Sequence, residues 1–235
     1  MKIFKPYFFK KSIVKLLVFL YLLTIIFLIL GLYYSIWRSP ADYQQGNLVR
    51  IMYVHVPCAW MSILLYSIMT FCSILYITKK IQIAYFIHIS ATYVGSLFTA
   101  LTLITGSLWA RPTWGSWWVW DARLTSVFIL FLFYVSNIMI IKSNKNIFKS
   151  SIPSSIFTLL GFINIPIVKF SVNIWNGIHQ KSSIFRIKGP LIDSSMLIPL
   201  TIMGVSFFFA SITLVFMKTN NIFHKSHNNY INKSK

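Results

Sequence analysis

Hydrophobic residues run along this chain in six long blocks, separated by shorter segments that carry polar and basic residues. Each block reaches the roughly 20 residues that a helix needs to cross the hydrocarbon core of a bilayer. The pattern predicts six transmembrane helices, at about 14–34, 51–77, 81–105, 122–141, 152–172 and 197–217. We therefore expect an all-α membrane protein, a single six-helix bundle that forms one integral membrane domain over residues 1–235.

The composition supports the membrane class. Of the 235 residues, 57% are hydrophobic and only 11% are charged, and no soluble domain of this size can bury so much apolar surface. The basic N-terminal segment leads into a block too long for the hydrophobic region of a signal peptide, and no small-residue cleavage site follows it. We expect this block to remain as the first helix.

The basic residues alternate with the predicted spans in a way that indicates topology. Net charge is +19, and lysines without acidic neighbours fall before span one, between spans two and three, between spans four and five, and after span six. The three acidic residues fall on the other side, at Asp42, Asp121 and Asp193. By the positive-inside rule, both termini face the cytoplasm or a mitochondrial matrix. The outer face then receives the segments 35–50, 106–121 and 173–196, and the charge reports topology rather than nucleic-acid binding.

The outer segment 106–121 is rich in tryptophan. Its last eight residues contain Trp114, Trp117, Trp118 and Trp120, with Gly115 inside the group and Asp121 at its end. So many indoles form a flat aromatic surface suited to a large planar partner, although tryptophan is also enriched wherever a protein crosses the membrane interface. The spacing is partly helical, so we expect a short amphipathic helix that opens near Pro112 and lies in the interface.

Two histidines fall on the same predicted face as this segment. His55 lies at the outer end of span two and His179 in the last outer segment. A lone histidine is more often structural, but a pair beside an aromatic loop predicts joint metal ligation, and imidazole is a common axial ligand of haem iron. We expect His88, nearer the inner side of span three, to make packing or interhelical contacts. His224 and His227 fall in the segment 218–235, which we expect to be a flexible polar tail.

Arginines flank the same region. Arg50, Arg111 and Arg123 are candidates for pairing with the two propionates of a haem, because a guanidinium binds a carboxylate through two parallel hydrogen bonds. The alternative is that each one only reaches toward lipid headgroups. Cys58 and Cys72 both fall in span two and are expected to be small packing residues. No nucleophile with a neighbouring base and no carboxylate pair is present, so we assign no catalytic residue.

Three motifs resemble a known family. The segment WGSWWVWDARLT is similar to the tryptophan-rich WWD signature of membrane proteins that handle haem during cytochrome c maturation. The segments RIMYVHVPCAWMS and WNGIHQ resemble the small six-span CcmC branch of those proteins. The resemblance runs from about Gln45 to Pro199 and fixes the order of the motifs.

The resemblance implies a site and a set of partners. In that family the two outer histidines are the axial ligands of a haem b, here His55 and His179. The WWD segment holds the haem, here Trp114, Gly115, Trp117, Trp118, Trp120 and Asp121, with Arg123 following. The family passes haem to the chaperone CcmE, together with the ABC transporter subunits CcmA and CcmB and the small protein CcmD.

We therefore expect a haem-binding and haem-transfer protein rather than an enzyme. Two alternatives stay open: a lyase that attaches haem to apocytochrome, and a subunit that transfers electrons through a bis-histidine b-type haem. Isoleucine, asparagine and lysine are frequent and alanine is scarce, as in proteins encoded by AT-rich genomes. This bias favours the mitochondrial inner membrane, with a bacterial inner membrane as the alternative.

Overall fold

The computed structural model of the protein describes residues 6–144, 146–175 and 189–234. This part of the chain is helical and contains no strand. Six of its segments are long and apolar enough to cross a membrane, which confirms the predicted fold class. The helices are α1 (Pro6–Tyr33), α2 (Met52–Lys79), α3 (Gln82–Trp114), α4 (Ala122–Lys142), α5 (Ser151–Gly161), α6 (Asn164–Ile174) and α7 (Ser194–Ser234). A π-helical turn at Tyr34–Arg38 follows α1, and a 3-10 turn at Asn47–Ile51 leads into α2.

The bundle has two chemically different ends. At one end, which we call the lysine end, Tyr76, Tyr85 and Ile141 pack together where α2 turns into α3 and α4 leads toward α5. At the other end, which we call the tryptophan end, lie residues 39–51, residues 115–121 and the start of α7. Helices α1 and α7 are antiparallel, because Phe27 stacks on Phe209 while Gly31, further along α1, lies against Met203, which comes earlier in α7. Both ends of the described chain therefore lie at the lysine end.

Helix α2 lies at the centre of the bundle. It packs against α3, α5 and α7, and the main core cluster combines side chains from α2, α3 and α4, such as Leu65, Phe98 and Leu130. Helix α1 packs chiefly against α7, and most of its apolar side chains are exposed. Such a surface suits contact with lipid, because hydrocarbon solvates leucine and isoleucine as well as a protein core does.

A buried polar cluster joins four helices in the lysine half of the bundle. The His88 ring is fully buried, and its Nδ1 lies 3.0 Å from the Ser73 hydroxyl while its Nε2 lies 2.8 Å from the Ser154 hydroxyl. Asn137 accepts a hydrogen bond from Ser154 (2.8 Å) and donates one to Thr158 (2.9 Å). With no water in the hydrocarbon core, such groups must satisfy one another. The structural role expected for His88 is confirmed.

The fifth span is broken into two helices. The helical pattern stops after Gly161 and resumes at Asn164. Pro166 explains the break, because proline cannot donate to the carbonyl of Phe162 four residues earlier and its ring crowds that carbonyl. The Asn164 side chain donates to the Ser126 carbonyl of α4 at 2.9 Å, so the second half stays attached to the bundle.

Two helices extend beyond their predicted ends. Helix α3 continues to Trp114, so half of the expected loop 106–121 is helical, and Pro112 lies in the last turn of α3 rather than in the first turn of a new helix. Residues 115–121 form no helix, so the expected interfacial helix is wrong. Helix α7 runs on to Ser234, so the predicted polar tail is helical as far as that residue. The bundle supports this extension, since Thr219 donates to Ser90 at 2.9 Å.

Replacing Asn137 with alanine tests the polar cluster. The substitution removes the hydrogen-bond partner of Ser154 and Thr158. We expect it to lower the free energy of unfolding by about 1–3 kcal/mol, because a buried polar group that loses its partner costs about that much. Thermal unfolding in detergent measures the change. Asn144→Ala, at an exposed position, is the matched control and should leave the midpoint unchanged. Equal midpoints for both variants would mean that the cluster contributes nothing to stability.

Candidate functional site

His55 lies one turn into α2 and packs against the neighbouring helix α3. Its Nδ1 lies 3.1 Å from the Thr105 hydroxyl oxygen, and its ring meets the Trp109 indole edge-on with 5.8 Å between centroids. Gly106 completes this surface, because a Cβ atom there would lie only 3.1 Å from His55 Cε1. The three residues of α3 therefore fix both the position and the plane of the imidazole. We call Thr105, Gly106 and Trp109 the His55 seat.

The His55 seat is tied to the rest of the tryptophan end. The indole Nε1 of Trp109 donates to the Gln45 side-chain oxygen at 2.8 Å, which joins α3 to the segment before α2. An apolar cluster then connects this segment to the start of α7, with Val49, Tyr53 and Leu200 buried in it and Trp109 packed against it. Three parts of the chain that are distant in sequence thus meet around His55.

The tryptophan loop, residues 115–121, closes the connection from α3 to α4. Helix α3 ends where Gly115 adopts φ = 79°, the left-handed conformation that glycine takes readily and that often ends helices. At about 1.5 Å per residue, the end of α3 lies about 13 Å beyond Thr105, so the loop begins above the level of His55. Trp114, the last residue of α3, is partly buried.

The loop exposes two indoles and holds a third. Trp117 is 56% exposed and Trp120 75% exposed, far more than a core tryptophan would be. Trp118 is partly buried and packs edge-on against Trp120 and Phe128, with 5.6 Å and 6.0 Å between ring centroids. Its indole Nε1 is buried and has no hydrogen-bond partner in the described part of the chain. The loop therefore exposes aromatic area and also holds one buried N–H donor that the described protein groups do not use.

The three candidate arginines differ in their surroundings. Arg111 is exposed and donates to the Gly115 carbonyl, so it helps to close α3. Arg123 is partly buried in the first turn of α4, close to Asp121. Arg50 is also partly buried, and Nη2 makes a long contact of 3.5 Å to the Ser39 carbonyl. Its Nε is buried and lacks a partner among the described residues, so Arg50 retains capacity to bind an anion.

The three acidic residues all hold local structure at the tryptophan end. Asp42 accepts from the backbone N–H groups of Gln44 and Gln45, both at 2.9 Å. Asp121 caps α4 by accepting from the N–H of Leu124 at 2.8 Å, which anchors the end of the tryptophan loop. Asp193 precedes α7, and hydrogen bonds from Ser195 lower the pKa of its carboxyl group. Their charges therefore stabilise backbone N–H groups.

The second predicted ligand, His179, lies outside the described residues. The described chain stops after Trp175, just beyond α6, and resumes at Gly189, shortly before α7. In the ranges that the structure describes, no group of three or more histidine, cysteine or acidic side chains is arranged to hold a metal ion. The predicted axial pair would supply only two side chains, fewer than such a group contains.

Sequence reasoning missed the His55 seat. Thr105 and Trp109 are four residues apart and share one face of α3. The hydrophobic pattern does not show that relation, because the predicted span three ends at residue 105 and Gly106 falls in the predicted outer segment. An uninterrupted helix through Trp114 would have placed both residues beside the partner helix.

Comparison with known proteins identifies the family. Residues 1–233 match the family model described as CcmC, heme exporter protein C. A ccmC-like mitochondrial protein of cytochrome c biosynthesis from Marchantia polymorpha is 45% identical over 82% of both chains. The heme exporter protein C of Bradyrhizobium diazoefficiens is 43% identical over 81% of this chain and 72% of its own, and that of Escherichia coli K12 is 35% identical over 85% and 80%. The chain belongs to the CcmC family, the heme exporter protein C family of cytochrome c biogenesis.

Proposed function

We propose that this protein binds haem at the tryptophan end of the bundle and delivers it to the haem chaperone CcmE. His55 and His179 are the axial ligands of a b-type haem, and CcmA, CcmB and CcmD are the partners in the membrane. The single observation that carries the proposal is the position of His55, which three residues of α3 hold at the same end of the bundle as the tryptophan loop. Membership in a family named for heme export supports haem as the ligand.

The surroundings of His55 suit a haem. The exposed faces of Trp117 and Trp120 supply aromatic area for one side of a porphyrin, and Trp114, Gly115, Trp118 and Asp121 shape the loop that carries them. Arg50 is the strongest candidate for a propionate, since its Nε is buried without a partner among the described residues and a carboxylate would satisfy that donor. Arg111 and Arg123 are further candidates at the ends of the loop.

Three described side chains bear on the alternatives. A lyase that works through its own thiol would need a cysteine at the surface, but the side chain of Cys58 is fully buried and Cys72 is nearly so. A bis-histidine electron-transfer site would use histidines deep in the bundle, but His88 is engaged by Ser73, Ser154 and Asn137. Transfer of haem is therefore favoured, in agreement with the exporter name of the relatives.

The proposed site faces the intermembrane space of mitochondria or, in the alternative, a bacterial periplasm. The lysine end then faces the matrix or cytoplasm by the positive-inside rule. Both mitochondrial and bacterial relatives exist, and we favour the mitochondrial inner membrane from the composition of the chain.

Reporter fusions test this orientation. Fusions after Lys149, at the lysine end, and after Ser183, in the last predicted outer segment, should give opposite readouts, because an odd number of spans separates them. Equal readouts at both sites would place His179 away from His55 and remove the shared face that the proposal requires.

Histidine substitutions test the axial pair. His55→Ala or His179→Ala should convert the low-spin absorption spectrum to that of a five-coordinate or misligated iron, and should reduce the haem that co-purifies. His88→Ala is the control. It should lower the stability of the protein but leave the absorption spectrum of the folded protein unchanged. If both outer variants retain the wild-type low-spin spectrum, neither histidine is a ligand.

Removal of two indoles tests the transfer surface. The double variant Trp117→Ala/Trp118→Ala should insert normally, because the loop lies outside the spans, but should lose most haem and its complex with haem-loaded CcmE. Aromatic pairs contribute about 0.5–1.5 kcal/mol beyond the area they bury. Asp121→Ala should have a milder effect, since a missing N-cap costs only about 1 kcal/mol. Co-purification of tagged CcmE with each variant is the measurement.

The matched control removes exposed aromatic side chains elsewhere at the same end. Trp37 is 70% exposed and Tyr43 is 91% exposed, and neither belongs to the tryptophan loop. The double variant Trp37→Ala/Tyr43→Ala should keep haem and CcmE at wild-type levels. If the two double variants behave alike, the loop is only part of an interfacial aromatic belt.

A further inference from the structure

The hydrogen bonds of Thr105 determine which nitrogen of His55 carries the proton. The Thr105 hydroxyl donates within its own helix, to the Leu101 carbonyl at 2.6 Å and more weakly to the Thr102 carbonyl at 3.3 Å. Its single proton is therefore used, and the oxygen has only lone pairs to offer to other groups. With the hydroxyl proton on the Leu101 carbonyl, His55 Nδ1, 3.1 Å from the Thr105 oxygen, is the donor of this pair. A neutral imidazole that donates from Nδ1 carries its lone pair on Nε2.

From this geometry we infer that Thr105 is a positioning residue for haem, and that His55 binds the iron through Nε2. Residues that ligate a metal through one imidazole nitrogen commonly donate a hydrogen bond from the other, and the acceptor fixes the tautomer and makes the imidazole a stronger ligand. Thr105 supplies that acceptor on this chain. The inference rests on the proposed ligation by His55 and adds the residue that prepares it.

The other two residues of the His55 seat determine the plane of the ring. Trp109 meets the ring edge-on at 78°, and Gly106 leaves just enough space for Cε1, at 3.1 Å from the position of an added Cβ. Rotation of the ring about its bond to Cβ would drive it into one or the other. The plane of the His55 ring is therefore already fixed in the haem-free protein. Haem binding then does not have to order the ring, and no conformational entropy of this side chain is lost at that step.

Thr105→Val tests the inference, because valine has nearly the shape of threonine but cannot accept a hydrogen bond. We expect about 10- to 100-fold weaker haem binding, the usual effect of losing an outer hydrogen bond to a metal ligand. In the haem that remains, the midpoint potential should rise, because a less basic imidazole stabilises ferric iron less. Thr105→Ser keeps the acceptor and should restore both affinity and potential.

Two further variants separate this role from packing and from the ligation itself. Thr102→Val removes a buried hydroxyl that donates to the Phe98 carbonyl on the same helix, so it controls for the loss of such a bond and should leave affinity and potential unchanged. His55→Ala should abolish the low-spin spectrum. Haem titration with the apoprotein in detergent and potentiometry of the bound haem are the measurements.

The outcomes distinguish the two levels of the argument. A Thr105→Val protein with wild-type affinity and potential, alongside a spectral change in His55→Ala, would overturn the role of Thr105 and leave the proposed ligation intact. Equal losses in Thr105→Val, Thr105→Ser and Thr102→Val would mean that Thr105 matters only for helix packing, and would also overturn it. A wild-type spectrum in His55→Ala would overturn the ligation and this inference with it.

Discussion

The pairing of α2 with α3 is the interaction on which the rest of this structure depends. The two helices are antiparallel and contact each other along most of their length, and two polar pairs fix their register. Ser73 bonds to His88 near the lysine end, and Thr105 bonds to His55 near the tryptophan end. In each pair, the two residues lie almost equally far from Lys80 along the sequence, one on each side of the turn. A shift of one helix along the other would break both at once, and lipid offers no replacement partner.

This pairing connects stability to the proposed function. The His88 cluster holds α4 and α5 against the α2–α3 pair through Asn137 and Ser154, while the tryptophan end carries His55 and the aromatic loop. Haem transfer requires a ligand that is held well enough to capture iron and exposed enough to release it. Placing His55 at the end of a rigid helix pair, beneath a loop with exposed indoles, is consistent with both requirements.

Polar residues divide between the two ends for different physical reasons. Asp42, Asp121 and Asp193 all accept backbone N–H groups at the tryptophan end, where turns and helix starts leave donors unpaired. The lysine end carries none of the three acidic residues of the sequence. Two of its cations rest on an aromatic ring instead, with Lys218 Nζ 3.7 Å and Lys142 Nζ 5.9 Å from the Tyr93 centroid. Arg50 and Trp118 keep buried N–H groups without described partners, and both lie at the end where we propose that haem binds.

The sequence by itself determined the six spans, the grouping of lysines at one end, and the residues that place the chain in its family, because hydrophobic length, charge distribution and the tryptophan motif are local properties. Only the tertiary structure decided that α3 continues to Trp114, that Pro166 divides the fifth span, and that α7 remains helical beyond residue 217. It also decided that Thr105 and Trp109 meet His55. That contact joins residues 50 positions apart, and it depends on the register of two packed helices, which neither helix specifies alone.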